Sequence, residues 1–340
     1  MTTNGSARSG APVIDVHWHH VPRSLANAIV DGRCRIGGEV KRDGDKVVLL
    51  LGDGFKQPLP PRLVDAATIP DSLDKAGVDI AAASLAPPMS HYWADPEIAL
   101  EVSRYANDGL AEVAEASGGR ILPLANVPLQ DVALAVQETR RAADDLHFRG
   151  VALGSNAAGT NLGDDQLLPF WETVAERDLF VFVHGLAPLG KERLKQHQLS
   201  NFVGLPIDTA VAVGSMVLGG LFERLPGLKV CFSHGGGAFP CLLGRWDHGY
   251  RERLAPEGAT IRLPSEYLAD IYCDSLTHDQ AGLRYLVERV GAGHVLLGSD
   301  HPFDMGEPDP VGQVKAAIDD EATRAAILGE TAARLLHVGG

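Results

Sequence analysis

Eight short apolar runs recur along this chain, most of them separated by longer stretches with helical periodicity. Val13–His19, Ile80–Leu85, Ile121–Val127, Gly150–Gly154, Leu179–His184, Lys229–His234, Ile271–Asp274 and Val295–Asp300 read as strands. Asp95–Ala116, Val132–Asp145, Leu167–Arg177, Ala210–Arg224 and Gln280–Val290 read as helices between them. Strand and helix alternating eight times predict an α/β chain folded as a (β/α)8 TIM barrel. An open doubly wound sheet uses the same alternation and is the competing architecture. A length of 340 residues suits the barrel and holds a sizeable core.

Two regions break the rhythm. Ser24–Ala67 is too long for one strand-to-helix connection, and Lys46–Leu51 after D-G-D reads as a hairpin strand. Residues 24–67 are therefore expected to form an insertion after the first strand, over the barrel mouth. Gly185–Phe202 is the second irregular stretch. Residues 1–11 read as a loose tail and 12–340 as a single barrel domain.

Barrel chemistry belongs at the C-terminal ends of the strands. The first strand, V-I-D-V-H-W-H-H, ends in His17 and His19, which share a face of a regular strand while His20 points the other way. The fifth ends in His184, the sixth in His234 and the eighth in Asp300. Imidazole and carboxylate donors suit Zn²⁺ or another divalent first-row metal. His17, His19, His184 and Asp300 are a set able to bind one such ion and leave a position open. The fourth strand, F-R-G-V-A-L-G-S, carries no lysine to bridge a second ion, so one metal is expected.

The patterns D-x-H-x-H, F-V-H, H-G-G-G and L-G-S-D on these strands resemble the amidohydrolase superfamily. More narrowly they resemble the metal-dependent non-oxidative decarboxylases typified by 2-amino-3-carboxymuconate-6-semialdehyde decarboxylase. Tyr92-Trp93-Ala94, Ser215–Pro240 and Gly298–Gly306 carry the likeness further. The resemblance implies that His17, His19, His184 and Asp300 are the metal ligands. It implies that His234 is the acid/base group beside the metal, and in a decarboxylation His234 or Asp300 would deliver the proton to the carbon that loses CO₂. Arg245 and Arg253, in G-R-W-D-H-G-Y-R-E-R, would bind substrate carboxylate. The first would come from the neighbouring subunit of a homodimer.

This chain also departs from that pattern. Gly185-Leu186-Ala187-Pro188 replaces a Pro-Trp-Asp-Met-like segment, His301 stands where a tyrosine is usual, and Arg62 is out of register with an expected arginine. The substrate shell is expected to differ, with Trp93 and His301 as candidate pocket residues. Non-oxidative decarboxylation of an aromatic or muconate-type acid is the expected reaction. Hydrolysis, including carbon–carbon bond hydrolysis, or hydration through a metal-activated water is the alternative.

A formal net charge of −14 argues against nucleic acid and anionic membrane as partners. It leaves a small anionic carboxylate possible through a local cationic pocket. Four cysteines without a C-x-x-C pair read as buried free thiols. With no apolar leader in the first residues, a cytoplasmic location is expected. His20 reads as a packing residue, and His91, His147, His197, His278, His294 and His337 as ordinary surface or loop residues.

Overall fold

The computed structural model describes residues 10–44, 46–252 and 262–339. Arg253 and most of the expected N-terminal tail lie outside them. The strands are β1 (Ile14–His19), β2 (Ile80–Ser84), β3 (Ile121–Pro123), β4 (Gly150–Gly154), β5 (Phe180–His184), β6 (Lys229–Phe232), β7 (Ile271–Asp274) and β8 (Val295–Leu296). All pairings among them are parallel, β1 to β3 in one run and β4 to β8 in another. Two seams join the runs. Ala125 bridges Val151 between β3 and β4, and Trp18 bridges His301 between β1 and the chain leaving β8. At the second seam Val16 N donates to Leu297 O at 2.9 Å and Asp300 N to His17 O at 2.7 Å. The ring closes, which selects the barrel over the open sheet.

Side-chain alternation builds two cores. Phe180, Phe182, Cys231, Tyr272 and Leu296 point into the barrel with Ile14 and Val16. Val181, Val183, Val230, Phe232, Cys273 and Val295 point outward against the helices. Several helices begin on an aspartate, which caps exposed amides: Asp95 accepts from Glu97 N, Asp131 from Leu134 N and Asp279 from Gly282 N.

The helix expected over Ala210–Arg224 starts earlier and breaks. It runs Leu205–Leu218, and a short turn Leu221–Arg224 follows. Gly219-Gly220 divides them, with Gly220 at φ +72°. The stretch 200–218 is long and apolar enough to cross a bilayer, yet half of it is buried inside the protein, as in a core helix.

After β1 come a helix, Arg23–Val30, and a three-stranded antiparallel sheet of Glu39–Asp43, Lys46–Leu50 and Lys56–Pro58. Leu49, Leu51, Leu59 and Leu63 of this segment pack with Leu85, Ala86 and Met89, which follow β2, and with Phe303, which follows β8.

Candidate metal centre

A regular β1 carrying Ile14 and Val16 into the barrel would turn His17 and His19 out of it. An irregularity prevents this. Asp15 pairs with Ala81 but Trp18 pairs with Ala83, so β1 holds one extra residue between them. Such a bulge reverses the alternation. Trp18 then joins the outer core, and His17 lies against Phe182 inside the barrel, ring centroids 4.8 Å apart. His19 follows on the same side. His20 is buried away from the centre, nearer Asp65 and Arg23, and burial lowers its pKa to about 4.

β6 and β8 stop short of their expected ends because the chemistry-bearing residues leave the ladder. His234 and Asp300 have φ of 55° and 59°, a region that non-glycine residues rarely occupy. The turn beyond His234 needs its glycines: a Cβ on Gly237 would lie 2.2 Å from Pro206 O.

Asp300 Oδ1 lies 3.1 Å from Nε2 of His17, 3.1 Å from Nε2 of His19 and 3.9 Å from Nε2 of His184. All four atoms are buried and none has a hydrogen-bond partner. Each ring is held by its other nitrogen. His17 Nδ1–H donates to Asp274 Oδ2 at 2.6 Å and His184 Nδ1–H to the Gly185 carbonyl at 2.8 Å. Ser84 Oγ donates to Trp18 O, so it accepts from His19 Nδ1–H at 3.0 Å. These acceptors fix each tautomer, and every Nε2 presents a lone pair toward Asp300. Four converging lone-pair atoms without a donor are costly unless a cation satisfies them. The donor set fits a divalent metal.

His234 stands at the rim, half-buried, its Nε2 3.7 Å from Asp300 Oδ2. Donor atoms of His17, His184, His234 and Asp300 all fall within 4.8 Å of one another. Ser233 Oγ, 3.0 Å from His234 Nδ1, also receives Gly185 N at 3.3 Å.

The charges agree with a cation site. Burial, outweighing the pull of Asp300, holds His184 down at about 3 and also lowers His19. Burial works against charge on His17 too, but Asp300 and Asp274 together overcome it and lift the ring to about 10. Asp300 stays well below the usual carboxylate range, since the histidines offset its burial.

Asp274 and Ser84 were not singled out from the sequence. Asp274 was readable: it ends β7 on the inward side, as His184 ends β5. Trp93 packs its ring over Gly37 and Gly52 of the inserted segment, where a Cβ on Gly52 would come within 2.4 Å of it. His301 stacks on Trp18 at 3.8 Å, and burial lowers its pKa to about 4. Arg245 is exposed on the helix Phe239–Arg251. His91, expected as a surface or loop residue, lies in the loop after β2 but is fully buried, its Nδ1 2.6 Å from Met89 O. The loop after β2 folds inward beneath the insertion and takes it along. Cys34, Cys231 and Cys273 are buried free thiols as expected, but Cys241 is exposed.

Residues 14–338 match the family described as amidohydrolase. The chain is 36% identical over 331 residues to a 2-amino-3-carboxymuconate-6-semialdehyde decarboxylase from Dictyostelium discoideum, covering 95% of this chain and 91% of that protein. A 2,6-dihydroxybenzoate decarboxylase in complex with 2,6-dihydroxybenzoate superposes with a TM-score of 0.79 at 25% identity, covering 98% of this chain and all of the other. A dihydroxybenzoic acid decarboxylase from Polaromonas, with bound manganese and 2-nitroresorcinol, gives a TM-score of 0.79 at 24% identity over 98% of each chain.

Proposed function

We propose, from the premise that this chain belongs to the amidohydrolase family and to its 2-amino-3-carboxymuconate-6-semialdehyde decarboxylase branch, that it is a metal-dependent carboxy-lyase. Its substrate is an aromatic or muconate-type carboxylic acid, from which it releases CO₂ without oxidation. One observation carries the reading: four buried, unpartnered atoms on His17, His19, His184 and Asp300 converge where a single cation would satisfy them. Those four residues would hold the ion. Zn²⁺ suits the donors, and the manganese of the Polaromonas protein makes Mn²⁺ the second ion to test.

When bound, the ion supplies Lewis-acid polarisation of the conjugated acid. The chain does the rest. His234 holds a proton at the rim and delivers it to the carbon that loses CO₂, as the electrons of the broken carbon–carbon bond stay on that carbon. Asp300 Oδ2, an ionised carboxylate 3.7 Å from His234 Nε2, faces the ring that carries this proton. Arg245 and Arg253 grip the substrate's anionic group, the first across a homodimer interface. Exposed Leu189, Phe202, Val203 and Ile207 support such a partner surface. His301 and Trp93 border the pocket, and residues 24–67 cover its mouth. Free thiols, with no disulfide among the described residues, support a cytoplasmic setting.

The test is elemental analysis of the purified protein, followed by a screen of aromatic and muconate-type acids with product mass as readout. About one ion per chain and products lighter by CO₂ are expected. Products heavier by water would move the reading to a hydratase or hydrolase. A folded protein that takes up no divalent ion would end it.

A further inference from the structure

We propose that Asp274 is a positioning residue that couples the metal ligand His17 to the turn carrying His234. The inference rests on reading the site as a metal-dependent decarboxylase.

Asp274 ends β7 with its side chain inside the barrel and wholly buried. Its two oxygens face two different parts of the site. Oδ2 accepts the Nδ1–H of His17 at 2.6 Å. Oδ1 accepts Gly235 N, the first amide after His234, at 2.8 Å and Leu276 N at 3.1 Å. One carboxylate thus sets the aim of a ligand from β1 and the path of the backbone leaving β6.

β1 and β7 are not neighbours: β8 lies between them, and Asp274 reaches across it. Gly298, two residues past the end of β8, makes this possible. A Cβ there would stand 2.7 Å from Asp274 Cβ and 2.9 Å from His17 Cβ. Only an empty position lets the two side chains meet. Gly235 N in turn holds a turn whose residues, His234 to Gly237, all have positive φ. Backbone so far from its ordinary preferences persists only when its surroundings fix it.

A carboxylate is required because every group it faces is a donor. Asparagine has the same shape but one acceptor oxygen and an NH₂. It must turn the NH₂ either to His17 Nδ1–H or to the two amides, so one side loses its partner.

The experiment compares wild type with Asp274→Asn. It measures metal affinity by chelator competition, kcat and KM at saturating metal, and amide exchange of the His234–Gly237 turn in metal-free protein. Metal affinity should fall about 10–100-fold, the usual effect of losing a ligand's outer partner. At saturating metal, kcat should still be at least tenfold down, on the order of one lost positioning contact. KM should change little, and the turn should exchange faster. A residue that only supports the fold would lower the melting temperature and leave these ratios alone. If Asp274→Asn does not fold, Gly298→Ala keeps the carboxylate but wedges it from His17, and both readouts should fall there. Wild-type affinity, or wild-type kcat at saturating metal with weakened affinity, would overturn the coupling. A wild-type protein that binds no divalent ion would instead overturn the decarboxylase reading, and this inference with it.

Discussion

Two buried polar clusters in this molecule are built from similar groups and end in opposite states. Between the helices Pro96–Ala116 and Val132–Asp144 lies Glu138, wholly buried. Its oxygens accept from Asn107 Nδ2 at 2.7 Å and from Arg141 at 2.8 and 3.0 Å. Asn107 Oδ1 takes Asn126 N, and Asn126 Nδ2 donates to Ser103 Oγ. Within this cluster no buried side-chain atom is left without a partner. At the barrel mouth, burial is equally deep, yet His17, His19, His184 and Asp300 each keep an unpartnered atom aimed at the same point. A satisfied network holds elements together. An unsatisfied one is kept at a cost to stability, and that cost makes sense when a ligand completes it.

The strongest way to break the contrast is to remove an atom from the open cluster. Asp300→Ala should abolish stoichiometric metal in elemental analysis. It should cut turnover by about a thousand-fold or more, since several kcal/mol of transition-state stabilisation go with the ion. The closed cluster should answer in stability instead. Glu138→Ala takes one acceptor from Asn107, which keeps Asn126 O, and leaves Arg141 with Asp108 alone. It should cost about 3 kcal/mol, the lower end for a broken buried pair because Arg141 partly reaches water. Urea melts measure this, and turnover per folded molecule should stay at the wild-type value. A Glu138→Ala protein that is stable but inactive would erase the distinction.

Much of this was legible in the sequence, and the exceptions share a cause. The strand starts and the histidines at their ends follow from local pattern, because alternation and capping act over a few residues. The alternation of elements predicted the barrel but fits an open sheet as well, and the bonds at the two seams decide between them. The bulge in β1 was not legible: it is defined only against Ala81 and Ala83 on β2. The sequence argument that His17 and His19 share a face held, but their entry into the barrel depends on that extra residue. Asp274 is legible as an inward strand end, but its pairing with His17 is not, since only the missing Cβ of Gly298 lets the two meet. The burial of His91 was not legible because the inserted sheet over that loop is far away in sequence.

A smaller effect sharpens the comparison without a mutation at the centre. A ligand that binds only the folded state adds RT ln(1 + [L]/Kd) to stability, about 2.7 kcal/mol at a hundredfold excess over Kd. Metal should therefore raise the melting temperature of wild type and of Glu138→Ala by similar amounts, and leave Asp300→Ala unmoved. Equal stabilisation of all three by calorimetry would place the ion elsewhere.

Trp93 should give the smallest effect. Its indole N–H is buried without a partner, and its ring fills the space over Gly37 and Gly52. Trp93→Phe removes an unpaired donor while keeping an aromatic ring, so lost packing and relieved desolvation partly cancel. The net stability change should stay below about 1.5 kcal/mol. KM is the informative quantity. If the ring borders the substrate, KM rises at constant metal affinity, and the open cluster extends from the ion to the insertion. If KM stays at its wild-type value, Trp93 belongs with Glu138 among the groups that hold the fold, and the functional region narrows to the strand ends.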